Sequence, residues 1–384
     1  MGTISGDDDK FWGKLFGMGP AGVENTVYKA CLEIGTLVRE LSPDAEPKEI
    51  ILDVFGFSRG AAAARYFVNC FNKGSVTYSE YSMWDILFNS PTVHEAEVPE
   101  GRNIKIRFVG IFDTVAAIGL ATNSYNYDVN VHLEDGVSAE KIVHLVADEN
   151  DEFRTNFRLN CNTPDGGIQK VFPGAHTDVG GGYHTGPEER LLYKYSGISR
   201  SRTGAETLLT RQKTQMELDL AANKDLPPVV TKMLDEGWAT QSQISVKESS
   251  IERFIIPTMP PVIDYSFEIA YIMTRELSNR LSRIPLHYMH QQAREIDGFP
   301  FSDMLSGPDY DLPMDDPDIV LAKEALMAGE PVDLVVHKRL RNKYVHCSSK
   351  FDAFMDDPNA WMGFRPQGGL RRKEYANDKT KAER

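Results

Sequence analysis

The sequence predicts an α/β fold, a mainly parallel sheet with helices on both faces. Three observations carry that expectation. Short β-rich apolar runs occur at 49–55, 104–112 and 169–172, and each ends in a cluster of small or polar residues. Helical stretches separate the runs. Strand–helix–strand alternation of this kind implies parallel pairing through right-handed crossovers. The chain of 384 residues, 41% hydrophobic and 26% charged, has an ordinary globular composition and can bury a sizeable core.

Taken in order, residues 11–22 form a glycine-rich stretch containing Gly13, Gly17, Gly19 and Gly22. No GKS/T follows it and no strand leads in, so it reads as a loop rather than a phosphate cradle. An amphipathic helix is expected from Val23 to Leu41, where Val27, Cys31, Ile34, Leu37, Val38 and Leu41 recur at helical spacing, and Ser42-Pro43-Asp44 ends it. The first strand runs into Gly56-Phe57-Ser58-Arg59-Gly60, with a helix over 61–72 directly afterwards. The second strand ends in Asp113-Thr114-Val115, and a helix is expected over 139–148. The third leads into Pro173-Gly174-Ala175-His176-Thr177-Asp178 and a glycine run ending at Tyr183. Beyond Tyr183 the stretch 188–224 reads as a polar helix, 238–256 as mixed, and 267–284 and 286–294 as further helices. The expected organisation is therefore a core with the strand-end motifs over 1–187, a helical insertion or cap over 188–295, a C-terminal part packing on the core over 296–364, and a basic tail over 365–384. That tail holds seven basic and three acidic side chains with no apolar period, which reads as a solvated segment.

The formal charge of −14 argues against a nucleic-acid partner, which would be bound through clustered Lys and Arg. Any attraction to an anionic bilayer must be local. Cys31, Cys70, Cys161 and Cys347 are far apart and form no CxxC pair, so neither a zinc site nor a disulfide framework is expected. The acidic start Gly6-Asp7-Asp8-Asp9 is not that of a secretory signal. No apolar stretch approaches the roughly 20 residues that span a bilayer. The expectation is a soluble product of the cytoplasm that leaves the cell only if another machine carries it.

Gly56-Phe57-Ser58-Arg59-Gly60 is a G-x-S-x-G pattern set between a β-branched run and Ala61-Ala62-Ala63-Ala64. In that context it is a nucleophile elbow of the α/β-hydrolase kind. The turn is tight enough to strain the serine and to require small flanking residues, and the helix start presents N–H groups to an oxyanion. A serine hydroxyl needs a histidine to take its proton and a carboxylate to hold that histidine in the right tautomer. Both should lie at the carboxyl ends of strands, later in the chain than the serine. Asp113 and His176 meet this test, each closing a strand. A rival pair is Asp178, at the end of the same third strand, with His346 in Lys343-Tyr344-Val345-His346-Cys347-Ser348. The first pair is preferred. His94, His132, His144, His287 and His290 read as core or capping residues. The reaction is thus a serine-dependent acyl transfer that requires no metal and no cofactor, with the Arg59 backbone N–H as oxyanion donor.

The blocks Asp53-Val54-Phe55-Gly56-Phe57-Ser58-Arg59-Gly60-Ala61, Gly110-Ile111-Phe112-Asp113-Thr114-Val115 and 173–183 resemble the first family of type VI secretion lipase effectors. Looser blocks at 143–149, 284–290 and 344–348 resemble it too. The resemblance implies phospholipase A activity on membrane phospholipid, delivered by a contractile injection machine into the periplasm of rival bacteria. It also implies a secretion spike protein and a cognate immunity protein as partners. The family's Ser, Asp and His fall on Ser58, Asp113 and His176. The family begins with a strand carrying F-D-G-T-x-N, and a sheet lacking that strand is expected here. A soluble esterase or thioesterase on the same residues, or a non-catalytic module with the same frame, are the alternatives.

Overall fold

The computed structural model describes residues 22–41, 49–80, 92–98, 104–115, 131–133, 139–153, 159–160, 163–164, 166–257, 262–303, 305–348 and 374–375. Residues 11–21, Cys161 and nearly all of 365–384 lie outside them, and with them the expected glycine loop and basic tail.

Helix α1 (Val23–Leu41) buries Val23, Val27 and Cys31 at four-residue spacing, and its limits are those the periodicity predicts. Strand β1 (Ile50–Phe57) passes through Ser58 into α2 (Arg59–Lys73). Gly60 and the four following alanines of α2 are all buried, so this helix packs closely on the sheet behind the turn. Gly74, at φ 80°, ends it by donating its N–H to the Cys70 carbonyl. Strands β2 (Ser75–Glu80) and β3 (Thr92–Glu97) pair antiparallel. Next come β4 (Ile104–Phe112), β5 (Lys141–Ala147), the short β6 (Leu159–Asn160) and β7 (Ile168–Phe172). The central sheet has the order β1-β4-β5-β7 with every neighbouring pair parallel, which is the expected pairing but with a fourth strand in place of the second expected helix.

Strand β5 corrects the expected helix over 139–148. Residues Ile142 to Ala147 are all buried, because an interior parallel strand is covered on both faces and shows a continuous apolar run without a period. Adjacent residues of this strand enter different cores. Ile142 packs with α1 and α2, whereas Val143 and Leu145 pack with Ile284, Met289 and Ala293 of α6 (below). Successive side chains on a strand point to opposite faces, so helices cover both sides of the sheet.

After β7 come the five-residue helix α3 (His176–Gly180) and the long strand β8 (Gly186–Ser199), then α4 (Arg202–Ala222) and α5 (Pro228–Asp235). Strands β9 (Ile244–Glu248), β10 (Glu252–Ile256) and β11 (Val262–Leu277) follow, then α6 (Arg283–Arg294), α7 (Pro317–Met327), α8 (Leu334–Lys343) and β12 (Glu374–Tyr375), which pairs with β6. Two further helical expectations are corrected here. The start of the 188–224 stretch and most of 267–284 are the antiparallel strands β8 and β11, paired from Gly186↔Leu277 to Ser199↔Tyr265. The segment 188–295 is thus not a helical insertion throughout but a second, antiparallel sheet with helices packed on it. In β11 the buried side chains Phe267, Ile269, Tyr271 and Met273 alternate with period two, the signature of a strand. The helix α6 agrees with the sequence reading of 286–294. Arg275 of β11, wholly buried, bonds Glu188 of β8 at 2.5 Å and donates to the carbonyls of Trp238, Arg341 and Val345. One guanidinium therefore ties the second sheet to the C-terminal segment.

Candidate active site

The carboxyl ends of β1, β4 and β7 form one rim of the parallel sheet. Ser58 leaves β1 at φ 57° and ψ −123°, a strained conformation for a residue with a side chain. The turn holds because the Ser58 N–H donates to the Phe112 carbonyl at 3.1 Å, while the Ser58 carbonyl accepts from Ala61 and Ala62. A Cβ on Gly56 would lie 2.2 Å from the Gly60 carbonyl oxygen, so the elbow closes only on glycine there. Arg59 is the first residue of α2, where backbone N–H groups have no acceptor within the helix and the helix dipole is positive.

Asp113 follows β4 with φ 41° and is wholly buried. Its N–H donates to the Leu145 carbonyl at 2.7 Å, and its Oδ1 accepts the Ala147 N–H at 2.8 Å, so the end of β5 fixes both its backbone and its carboxylate. Its Oδ2 lies 2.5 Å from Nδ1 of His176, itself only 2% exposed. A carboxylate on Nδ1 puts the imidazole proton there, and Nε2 then carries the lone pair a general base requires. The His176 ring lies 4.6 Å from that of Phe57, the residue preceding Ser58, which brings the end of β1 against the imidazole. Gly180 makes room for this, since a Cβ there would meet the Phe57 ring at 2.1 Å.

The structure thus brings Asp113 and His176 into direct hydrogen bonding across the end of β5, and sets Phe57, the residue before Ser58, against the His176 ring. The rival pair also meets. Nδ1 of His346 is 2.7 Å from Asp178 Oδ1, and its Nε2 faces the His184 carbonyl at 3.3 Å. Acceptors at both ring nitrogens engage that imidazole on both sides. Asp178 in turn accepts the Ala175 and His346 N–H groups, and burial pushes its carboxyl above the usual carboxylate range.

Several site residues escape a reading of the sequence. Thr114, next to Asp113, is buried in a network in which the Arg65 Nε donates to its hydroxyl at 3.2 Å and His144 Nε2 lies 3.1 Å from that hydroxyl. His144 is wholly buried in β5, the core role expected for it. Asp151 and Glu152 are buried carboxylates directly behind the His176 loop. The signal that could have found them is the acidic run Asp148-Glu149-Asn150-Asp151-Glu152 immediately after an apolar run. His287 and His290 are half-buried on α6 and bond the carbonyls of Tyr310 and Ser302, and His94 pairs with Glu80. Cys31, Cys70 and Cys347 are free and buried, and burial raises all three thiols, Cys70 to about 11. Among the described residues no group of His, Cys, Asp and Glu could hold a metal ion, and no helix is long and apolar enough to cross a membrane.

Residues 36–200 match the family described as the catalytic domain of Tle1-like type VI secretion (T6SS) phospholipase effectors, in agreement with the resemblance of the three motif blocks. This segment contains Ser58, Asp113 and His176. Among solved structures, the chain is similar to a Tle1 effector bound to the VgrG spike of the Type 6 secretion system, with a TM-score of 0.55 and 24% identity. The likeness covers 85% of this chain and 64% of that one, and at this identity it bears on the fold alone. No curated protein matches the chain.

Proposed function

We propose that the chain is a serine-dependent phospholipase, hydrolysing acyl esters of membrane phospholipids as an antibacterial effector of the type VI secretion system. The observation that carries this reading is the buried Asp113–His176 hydrogen bond at the rim where the strained Ser58 elbow emerges. In the proposed reaction the Ser58 hydroxyl attacks the ester carbonyl and His176 Nε2 takes its proton. Asp113 holds the imidazole and stabilises the imidazolium that forms. The Arg59 N–H, at the start of α2, donates to the oxyanion. His176 then returns the proton to the leaving alcohol, and water resolves the acyl-enzyme by the same route. Asp113 and His176 are preferred to Asp178 and His346, because His346 is engaged at both ring nitrogens.

No metal enters this scheme. The segment 188–295 is assigned to the cap that receives the acyl chain, where each buried methylene favours binding by ~0.8 kcal/mol. The proposed route to the substrate is carriage on a secretion spike into the target-cell periplasm. A cognate immunity protein is the expected protection of the producer.

The test is acyl release from phosphatidylethanolamine and phosphatidylglycerol vesicles. Ser58→Ala should lower kcat by at least ~1,000-fold, as loss of a nucleophile does. Equal rates for wild type and variant would remove the proposal. A preference for dissolved nitrophenyl esters over vesicles would favour a soluble esterase on the same residues, and absence of fluorophosphonate labelling at Ser58 would favour a non-catalytic module.

A further inference from the structure

The loop that delivers His176 is held by its backbone. Three consecutive amides donate to three different carboxylates: the Gly174 N–H to Asp151 Oδ2 at 2.7 Å, the Ala175 N–H to Asp178 Oδ2 at 3.0 Å, and the His176 N–H to Glu152 Oε2 at 3.0 Å. All three carboxylates are at most 3% exposed. Gly174 adopts φ 115°, and a Cβ there would lie 2.7 Å from the Asp178 side chain, so the loop has little alternative room.

A carboxylate oriented by a single amide can pivot about its own side chain. One whose remaining lone pairs are bonded cannot. The C-terminal segment supplies those bonds. Asp151 also accepts from His337 Nε2 at 2.7 Å and Arg341 Nε at 2.6 Å, two side chains four residues apart on α8. Asp178 also bonds His346, through Nδ1 at 2.7 Å and the backbone N–H at 3.0 Å. These are interior bonds and not surface ion pairs, since His337, Arg341 and His346 are all buried.

We infer that His337, Arg341 and His346 are positioning residues for His176: they orient Asp151 and Asp178, whose oxygens set the backbone of 174–176 and so aim the imidazole at Ser58. The inference rests on the reading of His176 as the base for Ser58. The effect is large enough to measure, because displacing a catalytic group by about 1 Å costs on the order of 100-fold in rate.

The test compares variants that delete a donor with variants that keep one. His337→Leu and His346→Leu delete it. His337→Gln sets an amide N–H near the position of Nε2, and His346→Asn sets one near that of Nδ1. On phosphatidylglycerol vesicles, each Leu variant should lose about 10- to 100-fold in kcat with little change in KM, and should be labelled more slowly at Ser58 by a fluorophosphonate. The Gln and Asn variants should recover most of the lost kcat. Wild-type kcat in folded Leu variants overturns the inference. If the Leu variants do not fold, the other two decide: folded protein with near wild-type kcat supports it. Conservative variants that fail to fold, or that fold and lose about tenfold in kcat, overturn it, because donor placement is then not what these residues supply. Failure of the parent reading looks different. In that case Ser58→Ala and His176→Ala themselves keep wild-type activity.

Discussion

At the scale of single residues, strain and close approach are concentrated around the elbow. Ser58 is held at a positive φ by bonds to both β4 and α2, and Gly56 has no space for even one added carbon. Gly56→Ala should therefore force the turn open, at a cost of ~1–3 kcal/mol, the usual penalty for overpacking a well-packed site. Thermal denaturation should show a lower melting temperature, and fluorophosphonate labelling of Ser58 should slow. An unchanged melt would mean that the elbow is less tight than its geometry. This part of the site was legible in the sequence, because G-x-S-x-G between an apolar run and four alanines is a local signal. The Arg65–Thr114–His144 network was not, since its three members lie far apart in the chain and meet only through the sheet.

At the scale of elements, the loop before α3 and its carboxylates should respond to acid in a defined direction. Burial would raise the Asp151 carboxyl, but bonds from His337, Arg341 and the Gly174 N–H outweigh it and hold it below its ordinary value of 3.8. A carboxylate depressed in the folded state contributes stability above its unfolded value and loses it as the pH falls through the folded one. Asp178, raised by burial, has the opposite sign: its contribution is complete below 3.8 and is lost as the pH rises through its higher folded value. The two are separated by substitution. Melting temperatures followed downward from about pH 4 should fall less steeply for Asp151→Asn than for the wild type. Equal slopes would show that Asp151 is not the group that titrates. The helix α1 is legible from its period and the strand β4 from its apolar run, whereas the stretches that form β5, β8 and β11 read as helix in the sequence. Those strands exist because neighbouring strands satisfy their backbone groups, a partnership that no local window displays.

At the scale of the whole molecule, one hydrophobic core joins the parallel sheet, the second sheet and the C-terminal helices. Phe108 and Leu145 share it with Leu192, Phe267 and Ile269, and with Ile319, Val336 and Leu340. Trp238, wholly buried in the same core, has Arg275 and Arg341 over its ring at 5.6 and 5.5 Å. A core shared in this way should melt as a unit. Denaturant unfolding followed by tryptophan fluorescence and by far-UV circular dichroism should give coincident transitions, and two separated midpoints would show that the second sheet unfolds on its own.

The sequence by itself determined the α/β class, the elbow around Ser58 and the strand-end position of Asp113, the last two because each is written in a few adjacent residues. His176, expected to close a strand, instead opens α3 four residues after β7. Only the tertiary structure decided that His176 bonds Asp113 across the end of an intervening strand, and that Asp178 and His346 form a second pair. It alone set the acidic run at 148–152 behind the histidine loop, against α8. The physical reason is that buried carboxylates and imidazoles need partners, and the partners chosen are those that folding brings near rather than those that stand nearby in the chain.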